Sequence, residues 1–178
     1  MKKTIVLIAA CALLAGPAAA QSIGEKTGVN AVLGITPSTA DFVKEAAIGD
    51  MFELDSSELA EQRATDEATK NFARQMITDH TKTSTQLKQA VGSDPKTPIP
   101  DALDSSHQSK LDKLKGLNGE DFTKAYHDMQ VAAHKNAVSL FERYAKVGDN
   151  ETLKSWAANT LPVLQHHLEM AQSLDRGA

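Results

Sequence analysis

Cysteine is almost missing from this chain. The only one, Cys11, lies in an apolar N-terminal stretch. Thiolate catalysis and thiolate-metal sites are therefore excluded from the rest of the sequence, and no disulfide can staple the fold. Aromatic residues are also scarce, at 4% of the chain. A core must be built mainly from Ala, Leu, Val and Met. No segment alternates apolar and polar residues in the way a half-buried strand does, and no hairpin turn signal is present. The formal charge of −4 and the absence of clustered Lys and Arg argue against nucleic acid as a partner. Long apolar runs are confined to the first twenty residues.

Those twenty residues read as a leader. Lys2 and Lys3 precede an apolar stretch from Ile5 to Ala15, broken by Gly16-Pro17 and followed by Ala18-Ala19-Ala20 before Gln21. This is the layout of a secretory signal peptide with an A-x-A cleavage site. The stretch is shorter than the ~20 residues of a membrane-spanning helix. A second reading takes Ile8-Ala9-Ala10-Cys11 as a lipobox, with Cys11 carrying a lipid anchor. Both readings place the protein outside the inner membrane; the first makes it periplasmic. Cleavage after Ala20 removes two lysines and no acids, so 17 basic residues face 23 acidic ones and the charge becomes −6.

The remaining ~158 residues suit one domain with one core. Residues 21–37 show no sustained period and read as a flexible lead-in. Residues 38–175 read as a helical domain. Ser38 can cap a first long helix from about Thr39 to Ala64, with Phe42, Ala46, Gly49, Glu53 and Ala60 on one face. Thr65 or Asp66 opens a second, to about Val91, whose stripe includes Ala73, Met76, Ile77, His80, Ser84 and Leu87. A breaker-rich connection over 92–100 leads to a short helix, about Ala102 to Lys115, in which His107 shares a face with Leu103, Leu111 and Leu114. A third long helix, about Glu120 to Val147, ends at Gly148. Asp149 or Asn150 caps a fourth, to about Leu174. Its seam of Leu153, Ala157, Thr160, Leu164, His167, Ala171 and Leu174 steps by 4,3,4,3,4,3, the spacing of a bundle interior. Pro162 should bend it, either aiming His167 or curving the helix round the core. The expected fold is all-α: an antiparallel four-helix bundle with a short extra helix between helices 2 and 3.

Polar residues on these seams are the candidate chemistry. His80, His134 and His167 lie on three different helices, and Glu53 lies on the fourth among small residues. An unsatisfied polar group in a core costs ~2–7 kcal/mol, so four of them should meet one another, a metal or water. With both interhelical turns at one end of the bundle, all four fall within about two turns of a common level. Three imidazoles and a carboxylate make a plausible shell for one transition-metal ion, whether zinc, iron, manganese or copper. The alternative is a metal-free Glu-His hydrogen-bond network. His166 and His127 are secondary candidates: His166 points about 100° away from His167, and His127 is two turns from His134. Asp50 and Asp79 are expected on the surface, with partnership to an imidazole N–H as the alternative. Enzyme motifs are missing: no Gly-rich phosphate loop, no G-x-S-x-G and no H-E-x-x-H. Ile77 and Leu164 stand where a Glu-x-x-His di-iron signature needs Glu, which argues against a ferroxidase centre.

Several stretches carry a family resemblance: Asp41-Phe42-Val43-Lys44-Glu45-Ala46-Ala47, Phe72-Ala73-Arg74-Gln75-Met76-Ile77-Thr78-Asp79-His80-Thr81, Gly119-Glu120-Asp121-Phe122 with Tyr126, Gln130-Val131-Ala132-Ala133-His134, and Leu161-Pro162-Val163-Leu164-Gln165-His166-His167-Leu168. Together they resemble the bacterial domain of unknown function 4142 family, exported helical bundles grouped with ferritin-like folds. The resemblance spans about Thr39 to Leu174. It implies a histidine at the positions of His80, His134 and His167, in preference to His166, and an acid at Glu53. It supplies no reaction. The outer-membrane label often attached to the family finds no barrel strands here. Two functions follow as expectations: a periplasmic metal-binding bundle for storage, buffering or stress protection, or a non-catalytic envelope module with a buried polar network.

Overall fold

The computed structural model describes residues 29–177. The expected leader, with its alternative cleavages before Gln21 and before Cys11, lies outside the described residues, as does 21–28 of the lead-in. Among the described residues the chain is all helix: α1 (Val29–Leu33), α2 (Thr39–Arg63), α3 (Glu67–Val91), α4 (Ser105–Lys115), α5 (Gly119–Val147) and α6 (Glu151–Gly177). No described helix is long and apolar enough to cross a membrane. The short α1 falls in the stretch expected to be irregular, and its Val32 stays exposed.

Side-chain caps set most of the helix starts. The Ser38 hydroxyl accepts from the Asp41 N–H, the Asp66 carboxylate from Thr69, and the Asn150 carbonyl from Leu153. Asp66 and Asn150 are thus the caps among the expected alternatives. The short helix starts at Ser105 rather than Ala102, because the Asp104 carboxylate accepts from the His107 N–H. Gly148 ends α5 at a negative φ of −57°, so left-handed backbone is not its reason for being glycine. A Cβ there would come within 2.7 Å of Tyr144.

The helices pack as two hairpins, α2 with α3 and α5 with α6, closed by α2–α5 and α3–α6 contacts. The two hairpin turns lie at opposite ends, contrary to the expected common end. Thr39, at the start of α2, bonds Tyr144 and Asp149 at the α5–α6 turn, and Phe42 stacks on Tyr144. The long connection through α4 carries the chain back along the molecule, so α5 starts beside the α2–α3 turn. The candidate residues still meet, because each lies near the middle of its helix and so at the same level from either end.

This arrangement splits the core in two. One apolar cluster joins Phe42, Val43, Leu87, Phe141, Tyr144, Leu153, Trp156 and Leu164. The other joins Ala60, Phe72, Met76, Leu114, Phe122, Tyr126 and Ala171 at the far end. Truncating one of their Leu, Met, Phe or Trp side chains to Ala costs about 2–5 kcal/mol. Between the clusters lies a buried polar layer: Asp50, Glu53, Ser56, Ser57, His80, Thr83, Gln130, His134, Thr160 and His167. Such a layer is costly unless its members find partners.

Candidate metal centre

Three helices deliver one imidazole each. On α3 the buried stripe runs Thr69, Phe72, Ala73, Met76, His80, Thr83 and Leu87. On α6 it runs Leu153, Ala157, Thr160, Leu164, His167 and Ala171, nearly as its 4,3 spacing requires. On α5 the buried seam is Tyr126, Gln130, His134, Phe141 and Tyr144. Val131, Val138 and Ala145 on the same helix are only partly buried. Helical periodicity and flanking apolar clusters therefore carry all three histidines into the polar layer, 1–3% exposed.

Each imidazole is anchored through one nitrogen. His80 Nδ1 pairs with Asp50 Oδ1 at 2.8 Å. His134 Nδ1 donates to the Gln130 carbonyl at 2.9 Å. His167 Nε2 pairs with Asp79 Oδ2 at 2.9 Å. A carbonyl can only accept, so the His134 proton sits on Nδ1. The other nitrogens, His80 Nε2, His134 Nε2 and His167 Nδ1, are buried with no hydrogen-bond partner. Each of the three side chains offers a ligand atom within 4.8 Å of those of the other two, and the ring centroids are 5.4–5.7 Å apart. A tetrahedral ion with M–N bonds of ~2.0–2.1 Å needs nitrogens roughly 3.3 Å apart. Contraction of about 1.5 Å at most, within reach of small ring tilts, closes that difference.

Electrostatics distinguish the three rings. Burial pushes His134 down to about 3, reinforced by the charge of His80. Burial also lowers His167, against the opposing pull of Asp79. For His80 burial acts downward too, but the hydrogen bond and charge of Asp50, with help from Glu53 and Asp79, leave it raised. Two imidazoles with bare lone pairs thus face the Nε2 of a third, whose Nδ1 is backed by a carboxylate. Asp50 also accepts from Thr83 and Ser84, which fixes its carboxylate. This pattern of ligand, anchoring group and further hydrogen bonds is the one that orients imidazoles around a metal.

The remaining candidates divide. Glu53 is buried in the same layer, with Oε1 3.8 Å from His134 Nδ1, but it falls outside the set of mutually close ligand atoms. Burial raises its carboxyl to about 7, against the opposing charge of His80. His127 is buried elsewhere, bonded to Thr69 through Nε2. His166 is exposed. Asp50 is only 8% exposed, so its expected surface position is corrected; Asp79 is partly buried. Sequence reading also missed Gln130, wholly buried, whose backbone anchors His134 and whose side chain donates to Ser56. Asp50 lies one helical turn before Glu53, which is the signal that could have placed it on the inner face.

A solved structure described as "CopM in the Cu(II)-bound form" shares the fold, with a TM-score of 0.67 at 16% identity over 80% of this chain and 98% of that one. No curated protein matches the chain. Residues 24–174 match the family described as Domain of unknown function (DUF4142), so the chain belongs to that family.

Proposed function

We propose that the chain is a periplasmic four-helix bundle of ferritin-like topology that holds one transition-metal ion between His80, His134 and His167, in a storage, buffering or stress-protection role. Its leader would deliver it there, by release after Ala20 or by lipid anchoring at Cys11. The observation that carries the metal reading is the set of three buried nitrogens without partners, on rings whose other nitrogens are anchored. Lone pairs that converge in a low-dielectric core repel one another, and a proton, a water donor or a metal cation relieves them. Imidazole suits zinc, copper and iron alike. Copper is the first ion to test, since the structural neighbour is described with Cu(II) bound. Glu53 lies in the same layer beside the rings, outside the set of mutually close donors.

The metal-free network has one observation in its favour: every imidazole of the layer already has one partner. It leaves the three converging nitrogens unaccounted for. Calorimetric titration of the tag-free protein with Cu(II) and with Zn(II) separates the readings. One equivalent bound by the wild type, and none by His134→Ala, is expected. No saturable binding of either ion would leave the polar network as the function of the layer. The mass of the exported protein reports its processing, with Gln21 as first residue if cleavage follows Ala20.

A further inference from the structure

Glu53 is left over by the three-histidine centre. It is 4% exposed, and its Oε2 has no hydrogen-bond partner. A buried carboxylate oxygen without a donor is costly, and the side chain holds that position among Ser56, Gln130 and His134 rather than turning outward. Glu53 also lines a cleft of about 400 Å³ together with Gly49, Asp50, His80 and His134. The cleft opens between α2 and α5 beside α4. Small side chains keep it open: Gly49 and Ala46 from α2, Ala132 and Ala133 from α5. At Gly49 an added Cβ would meet nothing within 4 Å, so the space beside the helix is real and no backbone constraint demands glycine there.

The donor count gives this space a meaning. Three mutually close histidines supply three ligand nitrogens. Zn(II) and Cu(II) in such sites take at least four ligands, and sites with three protein donors complete the set with water or a small molecule. We propose that the inner end of the cleft, beside Glu53, His80 and His134, is a binding site for a small exchangeable monodentate ligand on the ion. Water is its resting occupant, and small monoanions displace it. Glu53 supplies the polar group that faces this ligand, and the cleft supplies the path by which it exchanges. The inference rests on the metal reading above, but it claims more than storage requires: a closed storage site has no need of an open approach lined by an unpartnered carboxylate.

The test uses the Cu(II)-loaded protein and azide, with two variants. Metal content is measured first, so that loss of the ion is seen separately from loss of the ligand. In the wild type, azide should give a saturable charge-transfer band. Gly49→Leu, whose side chain has room to enter the cleft, should keep one Cu(II) per chain and weaken azide by about tenfold or more. Glu53→Gln, which puts a permanent N–H donor where a carboxylate stood, should keep the ion and tighten azide by about threefold or more. A copper-loaded protein whose spectrum ignores azide would overturn the proposal while leaving the metal reading standing. So would azide affinities in both variants within about twofold of wild type. Failure to load the ion at all would instead remove the metal reading, and this inference with it.

Discussion

Replacing Asp50 by Asn tests how the site is held together without touching a ligand. The Asp50 carboxylate accepts from His80 on one oxygen and from Thr83 and Ser84 on the other, at 2.8, 2.9 and 3.1 Å. An amide of the same shape keeps one acceptor oxygen. If that oxygen faces His80, the ring keeps its Nδ1 proton but loses the charge behind it, and the two hydroxyls must turn to accept from the amide. If the amide nitrogen faces His80, the proton moves to Nε2 and occupies the lone pair a metal needs. Either way the ligand becomes weaker. Loss of such an anchoring partner costs about 10–100-fold in metal affinity, or roughly 1.4–2.7 kcal/mol. The metal-free protein should also lose about 1–2 kcal/mol, because a charge-assisted bond in a buried layer becomes a neutral one. Competition titration against a chromophoric chelator reads the first quantity and urea unfolding the second. A variant that unfolds less stably but binds metal as tightly as wild type would refute the assignment of His80 Nε2 as a ligand.

Other outcomes follow from the same geometry. Asp79→Asn should act on His167 in the same direction but less strongly, since the Asp79 side chain is 24% exposed and its bond is better screened. His166→Ala and His127→Ala should leave metal stoichiometry unchanged, because one is exposed and the other is bonded to Thr69 away from the centre; loss of binding in either would redraw the site. The metal-free protein should become less stable on acidification. His134, lowered from 6.5 to about 3, and His167, also lowered, take up protons more readily in the unfolded chain than in the folded one as pH falls below 6.5. Glu53, raised from 4.5 to about 7, works in the opposite direction between those values. His134 and Glu53 nearly offset each other between about pH 6 and 5, so the lowered His167 sets the sign, a net loss of stability on acidification. His80, whose value is raised, is protonated in both states there and adds nothing to the slope. Urea midpoints across that range check it, and a stability that rises on acidification would contradict the charge assignment.

Much of the helix pattern was legible in the sequence, because long helices with regular apolar spacing announce themselves. The α6 seam is the clearest case: its 4,3 steps include His167, and the structure buries Leu153, Ala157, Thr160, Leu164, His167 and Ala171. The short α4 starts three residues later than the apolar spacing predicts, because the Asp104 side chain caps it. The relation between the hairpins was not legible. Spacing along one helix says nothing about which end of the next hairpin it meets, and only the Thr39–Tyr144–Asp149 contacts decide it. The common level of the histidines survived that error because residues near mid-helix are equidistant from both ends. Asp50 and Gln130 were missed for a different reason. Polar residues on an inner face look like surface residues until the partner that satisfies them is known, and those partners lie on other helices or on the backbone.

In the proposed centre, three histidines from three helices converge on one ion. X-ray absorption on the tag-free protein, loaded with copper and freed of excess ion, tests it most directly. One ion per chain with three imidazole nitrogens at about 2.0 Å is expected, falling below three in His80→Ala, His134→Ala or His167→Ala. An ion absent at stoichiometric level, or a wild-type ion held by fewer than three imidazoles, would contradict it.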